Sequence, residues 1–275
     1  MPELPEVETV RRTLAPLLIG RRVERVTVHR SDYVHGGRTP RNLLVGGVIA
    51  SLERRGKQLA VVADDGRTVC LHLGMSGQVF ASSSSTKGNQ SHVHIEWRLR
   101  GDSDERVTWL MRDPRRFGGV WTHPTFESLL NDRWRSLGPD GLDLDVDHLA
   151  FALKKSERSI KSVLLDQRVV AGIGNIYCDE SLFRACIRPQ TIARRIGRVR
   201  VVRLAEVIGD TLREAIDARG STLRDYRDAN GASGGFSSRW RVYGRAGEPC
   251  LTCDSTIRSD QVGQRTTAWC PQCQR

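Results

Sequence analysis

Apolar residues at Val7, Val10, Leu14, Leu17 and Leu18 recur at a spacing that gathers them on one helical face, which predicts a helix over residues 5–19. Pro16 falls inside that pattern and is expected to kink or end the helix, because its ring removes a donor and crowds the preceding turn. The period then shortens. Residues 22–28, 58–62, 69–73, 92–97 and 106–110 alternate or run apolar over strand lengths, and Gly36-Gly37, Asp65-Gly66 and Gly101-Asp102 mark turns between such runs. Residues 82–91 are small and polar and read as a surface loop. Beyond Gly138-Pro139 the helical period returns, over 146–153, 159–165, 176–185 and 199–218. Residues 229–238 hold Gly231, Gly234 and Gly235 without periodicity and read as a flexible loop. No internal repeat suggests a solenoid. The pattern is that of an α+β chain with a β-rich part over 1–125, a helical part over 138–228 and a short cysteine-bearing tail over 241–275.

A chain of 275 residues has room for two or three modules, each with its own core. No apolar run approaches the roughly 18 to 20 residues that a membrane helix requires. The first residues include Glu3, Glu6 and Glu8 and no apolar signal core, so a cytoplasmic protein of bacterial type is expected. Lys and Arg number 43 against 32 Asp and Glu, a net charge of +11. That excess favours polyanions, since basic groups displace counterions from phosphates. A generally basic surface without a dedicated partner gives the same number, so charge opens the nucleic-acid reading without deciding it.

Four of the seven cysteines lie in the tail, as Cys250-x-x-Cys253 and Cys270-x-x-Cys273. In a reducing compartment such pairs read as metal ligands rather than bridges. Four thiolates complete a tetrahedral shell and leave no position for water, so one structural zinc ion is expected. A module this small has little core, and metal binding would supply most of its folding energy. Cys70, Cys178 and Cys186 are scattered and read as small apolar residues or free thiols.

Gly172-Ile173-Gly174-Asn175 superficially suggests a dinucleotide fingerprint, but the third glycine is missing and the preceding segment reads as helix, not strand. The alternatives are a helix N-terminus near Asn175 that offers free N–H groups to a phosphate, or an ordinary interhelical turn.

Removal of Met1 would expose Pro2 as a secondary amine. α-Amino groups titrate near pH ~8, so a useful fraction is nucleophilic at neutral pH. Attack on a sugar C1′ gives an iminium that stays cationic and acts as an electron sink for elimination. Glu3 beside it is placed to shuttle protons. Taken alone, an N-terminal Met-Pro-Glu is usually incidental. Longer motifs change this. The opening from Met1 to Thr9 (Met-Pro-Glu-Leu-Pro-Glu-Val-Glu-Thr), Lys57, His72-Leu73-Gly74-Met75-Ser76-Gly77, Asp113-Pro114-Arg115-Arg116-Phe117-Gly118, the Gly172 segment and the zinc tail with Gln264-Arg265 resemble the formamidopyrimidine-DNA glycosylases, in the same order and over nearly the whole chain.

The resemblance implies a β-sandwich with a leading helix, a helical domain with a helix–two-turn–helix element and a C-terminal four-cysteine zinc finger, with DNA in the cleft between the first two. It implies a bifunctional enzyme that excises 8-oxoguanine and formamidopyrimidines and nicks the strand by β,δ-elimination, acting as a monomer on double-stranded DNA that contains an oxidised purine or abasic site. Pro2 would be the Schiff-base nucleophile and Glu3 the general acid/base. Lys57 would assist β-elimination and Arg265 δ-elimination. Asn175, His92, Arg115 and Lys161 would bind DNA. Met75, Arg115 and Phe117 would fill the gap left by the flipped nucleotide, with Arg115 facing the opposing cytosine. Ser221, Thr222, Leu223, Arg224, Asp225 and Tyr226 would close over the lesion.

Two positions depart from the family pattern. Ser91 and Ser156 stand where basic residues are common, which weakens the case for phosphate contacts between Ser156 and Lys161. Other readings compete. An oxidised-pyrimidine glycosylase of the endonuclease VIII type usually has glycine where Leu4 stands and lacks the block from His72 to Gly77. A catalytically silent binder of damaged DNA would have no use for Pro2, Glu3, Lys57 and Arg265 together. A zinc-dependent transcription regulator would leave the N-terminus unexplained.

Overall fold

The computed structural model describes residues 2–82, 91–222 and 226–275. Most of the polar loop expected at 82–91 therefore lies outside the described residues. The chain divides into two compact units, Met1–Ser136 with Ala218–Gly235, and Leu137–Asp217 with Phe236–Arg275.

The first unit opens with helix α1 (Leu4–Leu18). It runs through Pro16 instead of ending there. Leu14 and Leu18, on either side of the proline, are both fully buried, and that burial outweighs the one backbone bond lost. Nine strands and a short helix follow: β1 (Arg22–Val28), β2 (Val34–His35), β3 (Ile49–Arg55), β4 (Gln58–Ala63), β5 (Thr68–His72), β6 (Gln78–Ser82), β7 (Val93–Arg100), β8 (Arg106–Arg112), β9 (Gly119–His123) and α2 (Phe126–Leu129). They form one antiparallel sheet in the order β1-β7-β8-β6 and a second in the order β2-β9-β5-β4-β3, parallel only at β2–β9. One continuous apolar cluster includes Val7, Val10, Leu14 and Leu18 of α1, Leu59 and Val61 of β4, and Trp97 and Trp109 of the other sheet. The two indoles stack at 3.9 Å, and Trp97 Nε1 donates to Leu43 O at 3.0 Å.

Residues 229–238 are fastened, contrary to the flexible loop expected. Asp228 Oδ1 accepts the N–H groups of Asn230 and Ala232, Ala229 N–H donates to Thr13 Oγ1, and Phe236 is fully buried. The glycines there permit close approach: a Cβ on Gly234 would lie 2.3 Å from Gly220 O.

The second unit contains α3 (Val146–Lys154), α4 (Ile160–Leu164), α5 (Asn175–Arg184) and α6 (Arg198–Asp217), then the hairpin β10 (Arg258–Val262) and β11 (Arg265–Trp269). Asp145 caps α3 and Ser159 caps α4 through their side-chain oxygens. No helix among the described residues is long and apolar enough to cross a membrane.

Candidate active site

Pro2 is buried and Glu3 is 2% exposed at the N-cap of α1. The Glu3 N–H donates to Glu6 Oε2 at 2.8 Å. The other Glu6 oxygen accepts the Ser221 N–H at 2.7 Å, and the Tyr226 hydroxyl donates to Glu6 O at 3.3 Å. Thr222 Oγ1 donates to Tyr226 O and accepts the Gly234 N–H. Glu6 thus ties the start of the chain to both described ends of the segment expected to cover the lesion. Leu223, Arg224 and Asp225, between those ends, lie outside the described residues. Sequence reasoning misses Glu6; its one signal is a carboxylate three residues after the capping position, the spacing of a capping box.

Lys57 is 9% exposed and follows Gly56 in the β3–β4 turn, where the glycine has φ +55°. Across β4–β5, His72 pairs with Gln58. Burial lowers the His72 pKa, the charges of Lys57 and Arg133 lower it further, and Asp113 opposes them, for a value of about 4. The imidazole is therefore neutral at physiological pH. Its Nδ1 faces the Gly74 N–H at 3.3 Å and acts as acceptor, which places the ring proton on Nε2. In the sequence, His72 stands inside a motif without a role of its own.

Two loops meet just beyond. Asp113, fully buried, accepts the Ser76 hydroxyl at 2.6 Å on one oxygen, and the Tyr33 hydroxyl (3.0 Å) and Gly118 N–H (2.8 Å) on the other. A Cβ on Gly74, where φ is +58°, would lie 2.4 Å from Gly118 N, and one on Gly118 would lie 2.4 Å from His72 O. Backbone thus packs directly on backbone, and the side chains at the loop tips face outward. Met75 is 41% and Phe117 55% exposed, with the Arg115 guanidinium 4.9 Å from the Phe117 ring centroid. Exposure on this scale argues against core packing for both residues. His92 is exposed with φ +66° and lines a small basic hollow with His29, Arg30 and Arg116.

In the second unit, Asn175 is the first residue of α5, after the Gly174 N-cap. Its Nδ2 donates to Thr266 O at 2.9 Å. Arg265 is exposed at the start of β11. Lys161 departs from the expectation of a DNA contact. It is fully buried, its ammonium lies 2.6 Å from Asp179 Oδ1 and it donates to Thr266 O at 3.3 Å. Asp179 Oδ2 accepts the Ala268 N–H at 3.1 Å. Lys161, Asp179 and Asn175 together hold β11 against α4 and α5. Glu180, also fully buried, accepts the consecutive N–H groups of Arg241, Val242 and Tyr243. Burial raises its pKa, and those three amides oppose the rise.

The ligand atoms of Cys250, Cys253, Cys270 and Cys273 all lie within 4.8 Å of one another. Three sulfur separations are 3.4, 3.5 and 3.9 Å. Sulfurs about 2.3 Å from a single tetrahedral ion stand roughly 3.8 Å apart, so the cluster fits one zinc. All four ligand positions are protein thiolates. The ion's contribution is to hold a module with a small apolar cluster, formed by Phe183, Val242, Ile257 and Ala268 around the cysteines.

A sandwich unit opened by a buried proline, a helical unit with a glycine turn ahead of α5 and a four-cysteine finger define the architecture of a helix–two-turn–helix DNA glycosylase. Residues 1–120 match the formamidopyrimidine-DNA glycosylase N-terminal domain, 137–227 the H2TH domain of the same enzymes and 247–275 the zinc finger found in FPG and IleRS. Formamidopyrimidine-DNA glycosylases of Rhizorhabdus wittichii and Bacillus licheniformis are 44% and 41% identical, over all of both chains. The crystal structure of the MutM (Fpg) protein from Thermus thermophilus superposes with a TM-score of 0.86 at 36% identity, over 99% of this chain and 98% of that one. Lactococcus lactis Fpg in complex with abasic-site DNA gives 0.89 at 30% identity, over 99% of each chain. The chain belongs to the formamidopyrimidine-DNA glycosylase family.

Proposed function

We propose that this protein is a bifunctional DNA glycosylase and AP lyase of base excision repair that acts on oxidised purines in duplex DNA. Family membership over the full length supports the class. Solved complexes of Lactococcus lactis Fpg contain abasic-site DNA and N7-benzyl-Fapy-dG DNA, which supports the substrate. The single observation that carries the chemistry is the buried Pro2–Glu3 start, held by Glu6 at the head of α1.

After Met1 is removed, the Pro2 nitrogen bonds to C1′ while the glycosidic C–N bond breaks and its electron pair leaves with the base, which takes up a proton. Glu3 moves protons at this centre. The Pro2 nitrogen then gives up its proton and its lone pair expels O4′ from C1′; O4′ takes up a proton as the sugar ring opens and the iminium forms. The iminium acidifies C2′; loss of that proton sends electrons toward the cation, and the C3′–O bond breaks with departure of the 3′ phosphate. Lys57 assists this β-elimination and Arg265 the δ-elimination that follows. Asn175, His92 and Arg115 bind DNA, and Met75, Arg115 and Phe117 fill the vacated stack. The three modules at 1–125, 138–228 and 241–275, and a cytoplasmic location on the nucleoid, belong to the same proposal.

Borohydride trapping on 8-oxoguanine duplex, followed by peptide mapping, tests it. A covalent adduct at residue 2 is expected; an adduct at a lysine overturns the nucleophile.

A further inference from the structure

Arg54 lies in β3 with its side chain only 8% exposed. Its Nε donates to Glu8 Oε2 at 3.1 Å and its Nη1 to Gly56 O at 3.1 Å. The two acceptors belong to the two segments that carry the proposed reactive amines. Glu8 stands in the second turn of α1, six residues after Pro2 in a helix that Glu3 begins. Gly56 immediately precedes Lys57 in the β3–β4 turn.

The Glu8 carboxylate is also held from its own helix, by Arg11 at 2.8 and 2.9 Å and Arg12 at 2.8 Å. Those contacts stiffen α1, and Arg11 reaches the sheet through a long bond to Leu52 O at 3.5 Å. Arg54 is the guanidinium that approaches Glu8 from the sheet. Its other arm holds a carbonyl at a turn whose glycine occupies the left-handed region. Two acceptors in fixed directions need a planar fork; an ammonium on a flexible stem satisfies one of them at a time.

We infer that Arg54 is a positioning residue that sets Lys57 relative to the amino-terminal nucleophile. It touches neither substrate nor reacting atoms. Its effect falls on the step that needs both amines in register: loss of the C2′ proton and departure of the 3′ phosphate from the iminium. Formation of the iminium itself depends on Pro2 and is largely spared. The inference rests on the roles proposed above for Pro2 and Lys57.

Three variants, Arg54→Lys, Arg54→Met and Lys57→Ala, and the double variant Arg54→Met/Lys57→Ala separate the possibilities on duplex carrying a preformed abasic site. Two rates are read: borohydride trapping, which reports the iminium, and strand cleavage, which reports elimination. The thermal midpoint is read alongside. Arg54→Lys keeps the charge and the buried stem, so it remains informative where Arg54→Met folds poorly. The expected result is cleavage slowed by about tenfold or more in both Arg54 variants with trapping within about threefold of wild type. The double variant should cleave no more slowly than Lys57→Ala, because the two changes act on one group. Wild-type cleavage by Arg54→Lys, equal loss of trapping and cleavage that follows the thermal midpoint, or multiplicative losses in the double variant would each overturn the inference. Normal cleavage by Lys57→Ala would remove the Lys57 role and this inference with it; a slow Lys57→Ala beside a normal Arg54→Lys would remove the inference alone.

Discussion

Glu6 and Ser221 are 215 positions apart in the chain, yet the Glu6 carboxylate accepts the Ser221 amide at 2.7 Å. The same carboxyl group accepts the Glu3 amide, so the first residue of the segment proposed to cover the lesion and the residue next to the proposed nucleophile share one side chain. Gly220 makes this possible. Its φ is +79°, and a Cβ there would fall 2.7 Å from Glu6 Oε1.

Gly220→Ala should therefore cost about 1–3 kcal/mol, through a strained backbone and a displaced carboxylate. Urea unfolding reads the stability, and single-turnover assays read the chemistry. Excision of 8-oxoguanine is expected to fall more than cleavage at a preformed abasic site, which has no base to enclose. Equal losses would show that the segment does not act on the base.

Met75→Ala and Phe117→Ala remove side chains that are 41% and 55% exposed, so stability should change by no more than about 0.5 kcal/mol. Excision from duplex should nevertheless slow by about tenfold or more, because the gap left by the flipped nucleotide is no longer filled. A loss of stability that matched the loss of activity would return both residues to a packing role.

Acid should weaken the fold in two stages. The His72 imidazole has a folded pKa of about 4, below its ordinary 6.5, so its contribution is present above pH 6.5 and is lost as pH falls toward 4. Burial opposes ionisation of Glu8, but hydrogen bonds from Arg11 and Arg12 and the charges of Arg11 and Arg54 outweigh it and bring the carboxyl to about 2. That contribution is present above pH 4.5 and lost as pH falls toward 2, on the order of 2 kcal/mol after screening. Urea midpoints against pH check both. His72→Gln should flatten the first stage and Glu8→Gln the second, and Glu8→Gln should already be weaker at pH 7.

Removal of zinc by a chelator should abolish DNA binding while most helical and sheet signal survives, since the finger contributes little of either. Restoring zinc should restore binding. Affinity measured by fluorescence anisotropy, together with far-UV circular dichroism, decides this; unchanged affinity would leave the finger without a part in docking. For the intact protein, log affinity should fall steeply with log salt, by about 0.9 per phosphate contacted.

Helices α3 to α6 are legible in the sequence to within one or two residues, because their caps and apolar faces are local signals. Strands β3, β6 and β9 are not. β3 ends in Glu53-Arg54-Arg55, which reads as surface, and its apolar face becomes evident only against α1. Pro16 misleads for the opposite reason: a local rule gives way to the burial of Leu14 and Leu18. The four cysteines declare themselves by spacing. Lys161 does not, since nothing local tells a buried lysine paired to Asp179 from one that faces DNA. Glu6, Arg54 and His72 each have one partner within three residues, but they matter through the distant ones that folding brings up: Ser221 for Glu6, Glu8 for Arg54, and Lys57, Arg133 and Asp113 for His72.

Glu180 carries a last consequence. Three successive amides converge on its carboxylate, so the stretch that leads into the finger is moored at one anion. Glutamine would fill the same space and could keep a carbonyl oxygen where Oε1 accepts all three amides, but its N–H₂ would then stand where Oε2 accepts the Arg241 N–H at 2.9 Å. Failure at that mooring would loosen the entry to the finger at one end only, since Lys161, Asp179 and Asn175 still grip β11 and Gln274 Nε2 still donates to Ile187 O.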